Sequence, residues 1–305
     1  MSAKVSAAGR PAPLAIGPRR FVWGERTYVM GILNVTPDSF SGDGLLANGR
    51  GSDRDEDPVA RAVERARAMA AAGVDILDVG GESTRPGHAA VDTSEELRRV
   101  LPVIAALRDT LPDMPLSVDT TKPDVAEAAL AAGAHLVNDI WGVATDDALL
   151  RVAAAHGAPI VLMHNRAEAK YTNLVAEVVA DLEEAIERAL RAGVGLERIV
   201  VDPGIGFGKT AEHNLALLHD LSGLSVLGRP ILLGTSRKST IGLVLDLPAD
   251  GRLEGTLATT ALGIAAGVDI VRVHDVLENV RAARMADAII RGTWRPPIPS
   301  EGGSR

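Results

Sequence analysis

Val74-Asp75-Ile76-Leu77-Asp78-Val79 is an aliphatic run that passes directly into Gly80-Gly81-Glu82-Ser83-Thr84-Arg85-Pro86-Gly87. A helical pattern over 58–72 precedes it. Asp57-Pro58 opens that pattern as a cap with proline in the first turn, and Gly73 closes it as a C-terminal glycine does. Helical periodicity returns over 95–111, where Thr93 and Glu96 have capping-box spacing. The unit is helix, short buried strand, polar end, helix. Working outward, it recurs. Short aliphatic or β-branched runs lie at 28–35, 74–79, 115–118, 134–137, 159–163, 199–201, 230–233 and 269–273. Helical stretches such as 174–192 lie between them, Gly133 and Gly193 end helices, and Asp275 precedes Val276, Val280 and Ala283 on one helical face. Eight strand–helix units predict an α/β fold, a (β/α)8 TIM barrel with parallel strands. A doubly wound sheet is the alternative, and eight alternations favour the barrel.

Residues 13–30 read as short strands around a Gly24-containing turn, a β-hairpin closing the bottom of the barrel. Residues 1–12 and 294–305 read as loose ends around one barrel domain spanning 13–293. The stretch 38–57 has no periodicity, and loops of that length inside a compact domain commonly serve as lids.

Composition narrows the function. The chain has 305 residues, 46% of them hydrophobic but only 3% aromatic, so its core is aliphatic. It has no cysteine, which excludes disulfides and cysteine-ligated metals and suits a reducing cytoplasm. Net charge is −8, against the basic balance of a non-specific nucleic-acid binder. The apolar stretch 261–268 stops at Asp269, too short for a membrane span.

The polar strand ends carry the functional signal. They are Asn34, Gly80 to Gly87, Asp119, Asn138-Asp139, His164, Asp202-Pro203-Gly204, Ser236-Arg237-Lys238-Ser239, and Arg272 with His274. In a parallel barrel these ends open on one face, where such barrels hold their chemistry. Each Asp or Asn alone reads equally well as a helix cap, Asp119 and Asp139 included; eight such ends together favour a site. Acids and amides beside Arg85, Arg237, Lys238, Arg272 and His274 suit a ligand with a polar heterocyclic edge and an anionic tail.

Other motifs fail. Gly204-Ile205-Gly206-Phe207-Gly208-Lys209-Thr210 imitates a phosphate loop, but Pro203 replaces its first glycine. His164 and Glu168 lack the rest of a zinc motif. His156, His213 and His219 read as surface or capping residues.

Met30-Gly-Ile-Leu-Asn-Val-Thr-Pro-Asp-Ser-Phe-Ser41 and Asp78-Val-Gly-Gly-Glu-Ser-Thr-Arg-Pro-Gly87 resemble two signatures of the dihydropteroate synthases, a family of pterin-binding barrel enzymes. Ser117-Val-Asp-Thr120, Asn138-Asp139, Asp202-Pro-Gly-Ile-Gly-Phe207, Ser236-Arg-Lys-Ser239 and Arg272-Val-His274 follow in the family's order, so the resemblance spans roughly residues 14 to 290. It implies a transferase of folate biosynthesis that joins a dihydropterin diphosphate to 4-aminobenzoate. It also implies roles. Asp119, Asn138, Asp202 and Lys238 would hold the pterin between Met163 and Phe207. Thr84, Arg85, Arg272 and His274 would hold the diphosphate, and Asn34 would ligate Mg2+. Phe40, Asp43, Pro86, Lys238 and Ser239 would shape the aminobenzoate site. The family suggests a homodimer, with small-molecule substrates and neither nucleic acid nor membrane as partner.

Two departures touch the site where sulfonamides compete. The first loop is longer than the family's, and Thr240 stands where many members carry a larger apolar residue; a sulfonamide-insensitive enzyme is one reading of both. Three rivals remain. A methyltransferase module would need a corrinoid partner and would not need Ser236-Arg237-Lys238. A non-catalytic homologue would be expected to lack some of Asn34, Arg85, Lys238, Arg272 and His274. An aldolase-like barrel would use Lys238 as a Schiff base.

Overall fold

The computed structural model describes residues 10–36, 57–82, 91–141 and 147–295. Eight parallel strands form the barrel wall: β3 (Tyr28–Asn34), β4 (Ile76–Gly80), β5 (Leu116–Asp119), β6 (Leu136–Asp139), β7 (Ile160–Met163), β8 (Ile199–Asp202), β9 (Leu232–Leu233) and β10 (Ile270–Val273). They pair in the order β8-β7-β6-β5-β4-β3-β10-β9. A parallel bridge between Val201 and Ile231 joins β8 to the segment leading into β9 and closes the ring, which rules out the doubly wound alternative.

The intervening helices are α1 (Pro58–Ala72), α2 (Thr93–Thr110), α3 (Pro123–Ala131), α4 (Ala148–Ala155), α5 (Leu174–Arg191), α6 (Ala211–His219), α7 (Ser239–Leu245), α8 (Leu253–Ala265) and α9 (Val276–Ile290). Their apolar faces pack on the outward residues of the strands, among them Val29, Leu33, Leu77, Val79, Val118, Val137, Leu162 and Val201. The opposite alternation fills the barrel. Tyr28, Met30, Ile76, Leu136, Val161, Val200, Leu232 and Ile270 form a separate buried cluster inside it.

That inner cluster is completed from below by the N-terminal hairpin of β1 (Leu14–Ile16) and β2 (Arg19–Phe21). Phe21 and Tyr28 pack with ring centroids 4.6 Å apart and planes tilted by 52°, and Trp23 meets Tyr28 edge-on. The hairpin turns at Gly17, earlier than expected; Gly24 lies in the next turn, ahead of β3.

Helix ends follow local rules with two corrections. Asp57 accepts from Val59 N at 3.0 Å, and Gly73, Gly133 and Gly193 take positive φ after their helices. Thr93 and Glu96 do not form a capping box. Asp92 caps α2 by accepting from Glu95 N at 2.8 Å, while Glu96 turns inward and receives Lys122 Nζ at 2.6 Å. A buried carboxylate is worth more paired with an ammonium than spent on an exposed amide. Asp275 makes no capping bond either, because Arg237 engages its carboxylate.

Candidate active site

Several strands run further than the aliphatic pattern implied, and this decides where the polar residues point. Gly80, Asp119, Asn138, Asp139 and Asp202 are members of the parallel sheet, not loop residues beyond it. Asp119 is therefore no helix cap; α3 begins without a side-chain cap. Alternation then sorts the two neighbours at the end of β6. Asn138 shares the inward parity of Leu136, whereas Asp139 faces outward and accepts from Trp141 N at 2.8 Å.

Registers bring Asn34, Gly80, Asp119 and Asn138 into one row at the C-terminal rim. Beneath it lie Ile32, Asp78, Ser117 and Leu136. Arg272 starts lower, beside Met30, and its long side chain climbs to both carboxylates. Its Nε donates to Asp78 Oδ2 at 2.6 Å and its Nη2 to Asp119 Oδ2 at 2.5 Å, while Asn138 Nδ2 donates to Asp78 Oδ2 at 3.0 Å. Asp78 Oδ1, Ser117 Oγ and Asp119 Oδ1 are buried without a hydrogen-bond partner. Buried polar atoms left unmatched on one wall mark a place for a polar ligand or ordered water.

Across the barrel, Met163 and Asp202 are register partners on β7 and β8. Asp202 Oδ1 accepts from Gly204 N at 2.7 Å. Lys238 reaches in from the segment after β9. Its ammonium donates to the Ile205 carbonyl and lies 4.6 Å from the centre of the Phe207 ring. Ser236 Oγ and His274 Nδ1 are 2.9 Å apart, and His274 N donates to the same hydroxyl. Arg237 takes a left-handed φ of 57° and is held by two bonds to Asp275, at 2.6 and 3.0 Å.

Burial sets the electrostatics. It raises the Asp119 carboxyl to about 7, with Asp78, Glu96 and Asp139 adding to the rise and Arg272 opposing it. Burial also pushes Asp202 up, against the pull of Lys238. It lowers the Lys238 ammonium to about 8, with Asp202 opposing. For Arg272 the burial penalty is outweighed by Asp78 and Asp119, and the group stays firmly cationic. The pocket thus holds two carboxyls raised by burial, Asp119 to about 7, beside a fixed guanidinium.

Of the residues singled out in the sequence, Asn34, Asp119, Asn138, Met163, Asp202, Phe207, Lys238, Arg272 and His274 lie at this end of the barrel. Ser239 opens α7 and is exposed. Phe40, Asp43, Thr84, Arg85 and Pro86 lie outside the described residues, as do residues 38–56 of the long first loop. Thr240 is buried, with its hydroxyl accepting from Asn214 Nδ2 at 2.9 Å. His164 is fully buried against Asp181 and Lys209, and no group of three or more potential metal-binding His or acidic side chains occurs among the described residues.

Asp78, Ser117 and Ser236 stand in the motifs read from the sequence, but no role was assigned to them there. The signal for Asp78 was present: an acid in the middle of an aliphatic strand must find a cationic or hydrogen-bonding partner.

The model of the pterin binding enzyme family matches residues 30–274. A dihydropteroate synthase from Clostridium beijerinckii is 53% identical over 279 residues, covering 91% of this chain and all of that one. A crystal structure of dihydropteroate synthase from Clostridium difficile, in the presence of pteroic acid, superposes with a TM-score of 0.83 at 51% identity, covering 89% of this chain and 99% of that one. The Xanthomonas albilineans dihydropteroate synthase with 4-aminobenzoic acid gives a TM-score of 0.83 at 42% identity, covering 92% and 98%.

Proposed function

This chain belongs to the pterin-binding enzymes, among their dihydropteroate synthases, and on that premise we propose how its residues carry the family's reaction. The reaction joins the methylene carbon of a 7,8-dihydropterin diphosphate to the amino nitrogen of 4-aminobenzoate, forming dihydropteroate and releasing diphosphate. The observation that carries this reading is the inward polar wall. Asp119 and Asn138 stand on one side, Asp202 and Lys238 on the other, and Asp119 Oδ1 and Ser117 Oγ are buried and unmatched. Such a wall suits the donors and acceptors of a pterin ring, with Met163 and Phe207 as apolar sides.

The substitution is dissociative. The aniline nitrogen is a weak nucleophile, whereas an electron-rich reduced pterin stabilises a cation at its methylene. The carbon–oxygen bond breaks first, and the electron pair leaves with the diphosphate. The amino nitrogen then attacks and loses a proton. Asp119 and Asp202 favour the cationic pterin; Thr84, Arg85, Arg272 and His274 hold the departing anion. Phe40, Asp43, Pro86, Lys238 and Ser239 shape the aminobenzoate site. Exclusion of water from the site protects the cation.

Asn34 is the proposed Mg2+ ligand. A Cβ at Gly80 would lie 3.4 Å from Asn34 Oδ1 and 3.6 Å from Asp119 Cβ, so the glycine keeps space in front of that amide oxygen. One hard oxygen ligand fits an ion that completes its shell with water and phosphate oxygens. Bound there, Mg2+ would neutralise charge on the diphosphate.

The assembly is a homodimer. The neighbouring helices α7, α8 and α9 carry Leu243, Val244, Leu262, Met285 and Ile289, each more than half exposed, and a second copy would cover them. A molar mass by sedimentation twice that of the chain is expected. A cytoplasmic setting belongs to the same reading; among the described residues no helix is long and apolar enough to cross a membrane.

The decisive experiment measures diphosphate release from the pterin diphosphate with and without 4-aminobenzoate and Mg2+, and again with a sulfonamide. Release that needs both additions and yields dihydropteroate supports the synthase. Pterin binding without release removes it in favour of a binding or methyl-transfer role. The sulfonamide arm tests whether the long first loop and Thr240 confer insensitivity.

A further inference from the structure

The glycine-rich segment after β8 imitates a phosphate loop in sequence but is built with the opposite polarity. In a phosphate loop, amides face the anion and the lysine reaches toward it. Here Lys209 points into the protein, and its three protons are consumed. Nζ donates to His164 Nδ1 at 2.7 Å, to the Gly204 carbonyl at 3.0 Å and to the Phe207 carbonyl at 3.1 Å. His164 is fully buried and presents its other nitrogen to Asp181 at 3.0 Å, so Nε2 carries the proton and Nδ1 is the acceptor. Arg166 Nε fixes Asp181 from the outside at 2.7 Å.

The turn is pressed against the segment that follows β7. Gly204 has φ of 67°, and a Cβ there would lie 1.8 Å from the His164 carbonyl oxygen; Gly208 has φ of 55° and would meet the Arg166 carbonyl at 2.3 Å. Only glycine permits this conformation and this approach. On its other side the turn presents the Ile205 carbonyl and the Phe207 ring, the two groups that receive the Lys238 ammonium.

We propose that Lys209 is a positioning residue for the reaction: it staples residues 204–208 onto His164, and the stapled turn aims Lys238 at the substrate. The inference rests on the reading of Lys238 as a substrate contact. Lys238 is faced by Asp202 from β8, Asp119 from β5 and Arg272 from β10, so its direction depends on a fixed turn behind it. Burial lowers Lys209 to about 7, with Asp202 opposing and Lys238 adding to the fall, as expected for an ammonium held by neutral acceptors.

The test compares the full-length wild type, Lys209→Gln and Asp181→Ala in steady-state assays with the pterin diphosphate, after thermal melts show the variants folded. Asp181 is at the edge of the network and partly exposed, so its variant samples the same device at less risk to folding. In Lys209→Gln the KM for the pterin diphosphate should rise about 10- to 100-fold, the scale of a small misplacement of a binding group. The alkaline limb of kcat/KM should move upward as the Lys238 ammonium, lowered by burial to about 8, becomes better solvated. Asp181→Ala should show both changes more weakly. Folded variants with wild-type KM and an unmoved limb would overturn this inference alone. A wild type that makes no dihydropteroate would overturn the reading of the site and this inference with it.

Discussion

Arg272 and Asp78 lie 194 positions apart in sequence, yet Nε of the first donates to Oδ2 of the second across 2.6 Å inside the barrel. The same Asp78 oxygen receives Asn138, so one buried carboxylate orients both a cation and an amide of the candidate pterin site. Asp78 sets the angle from which Arg272 approaches.

Asp78→Ala would leave Arg272 and Asn138 each without that acceptor. The expected loss is about 3 kcal/mol, the lower end for breaking a buried pair, because Asp119 still holds the guanidinium. Chemical denaturation measures it, and kcat/KM should fall in parallel. Asp78→Asn keeps an acceptor and should lose less on both counts. Equal stability of wild type and Asp78→Ala would show that the pair orients without stabilising.

Asp119 makes the substrate-free protein sensitive to pH in a defined direction. The folded chain keeps this proton to about pH 7, whereas the unfolded chain releases it near 3.8. Between those values the folded state binds more protons, so the stability that Asp119 contributes is whole below 3.8 and is lost as pH rises to about 7. Asp119→Asn removes that dependence. Its melting temperature, relative to wild type, should climb from pH 4 to pH 7; parallel profiles would contradict the raised pKa.

Asn34→Ala removes the proposed protein ligand of Mg2+ and leaves the rest of the row in place. The Mg2+ concentration for half-maximal diphosphate release should rise by about tenfold, the value of one contact of roughly 1.4 kcal/mol. Pterin binding measured without Mg2+ should be unchanged. An unaltered Mg2+ requirement would move the metal contact elsewhere.

Thr240→Val tests what the departure at that position does. The hydroxyl accepts from Asn214, whose Oδ1 in turn accepts from Gly206 N at 2.8 Å, so Thr240 supports the turn that receives Lys238. Leaving Asn214 Nδ2 buried and unpaired should cost about 1–3 kcal/mol by denaturation. The KM for the pterin diphosphate should rise while sulfonamide inhibition relative to 4-aminobenzoate stays as in wild type. A change confined to sulfonamide inhibition would instead place Thr240 against the drug.

The sequence by itself determined the architecture and the face that bears chemistry. Both depend on short-range patterns: aliphatic runs of strand length, helical periodicity between them, and a switch to polar residues at each strand end. Asn138 and Asp139 parted company only once the structure carried the strand through both of them, so that alternation could sort inward from outward. Family motifs supplied candidate roles for Asp119, Asp202, Lys238 and Arg272.

What only the tertiary structure decided is who meets whom across the ring. Arg272 reaches Asp78 and Asp119 because closure sets β10 beside β3 and within a side chain's length of β4 and β5, a distance no local pattern encodes. The direction of Lys209 was equally hidden. A glycine-rich turn can present amides or carbonyls to its lysine, and the choice here is made by His164, supplied from the segment after β7 and fixed by Asp181 from a helix. Local sequence sets which conformations a turn can take; packing against a distant element selects the one it keeps.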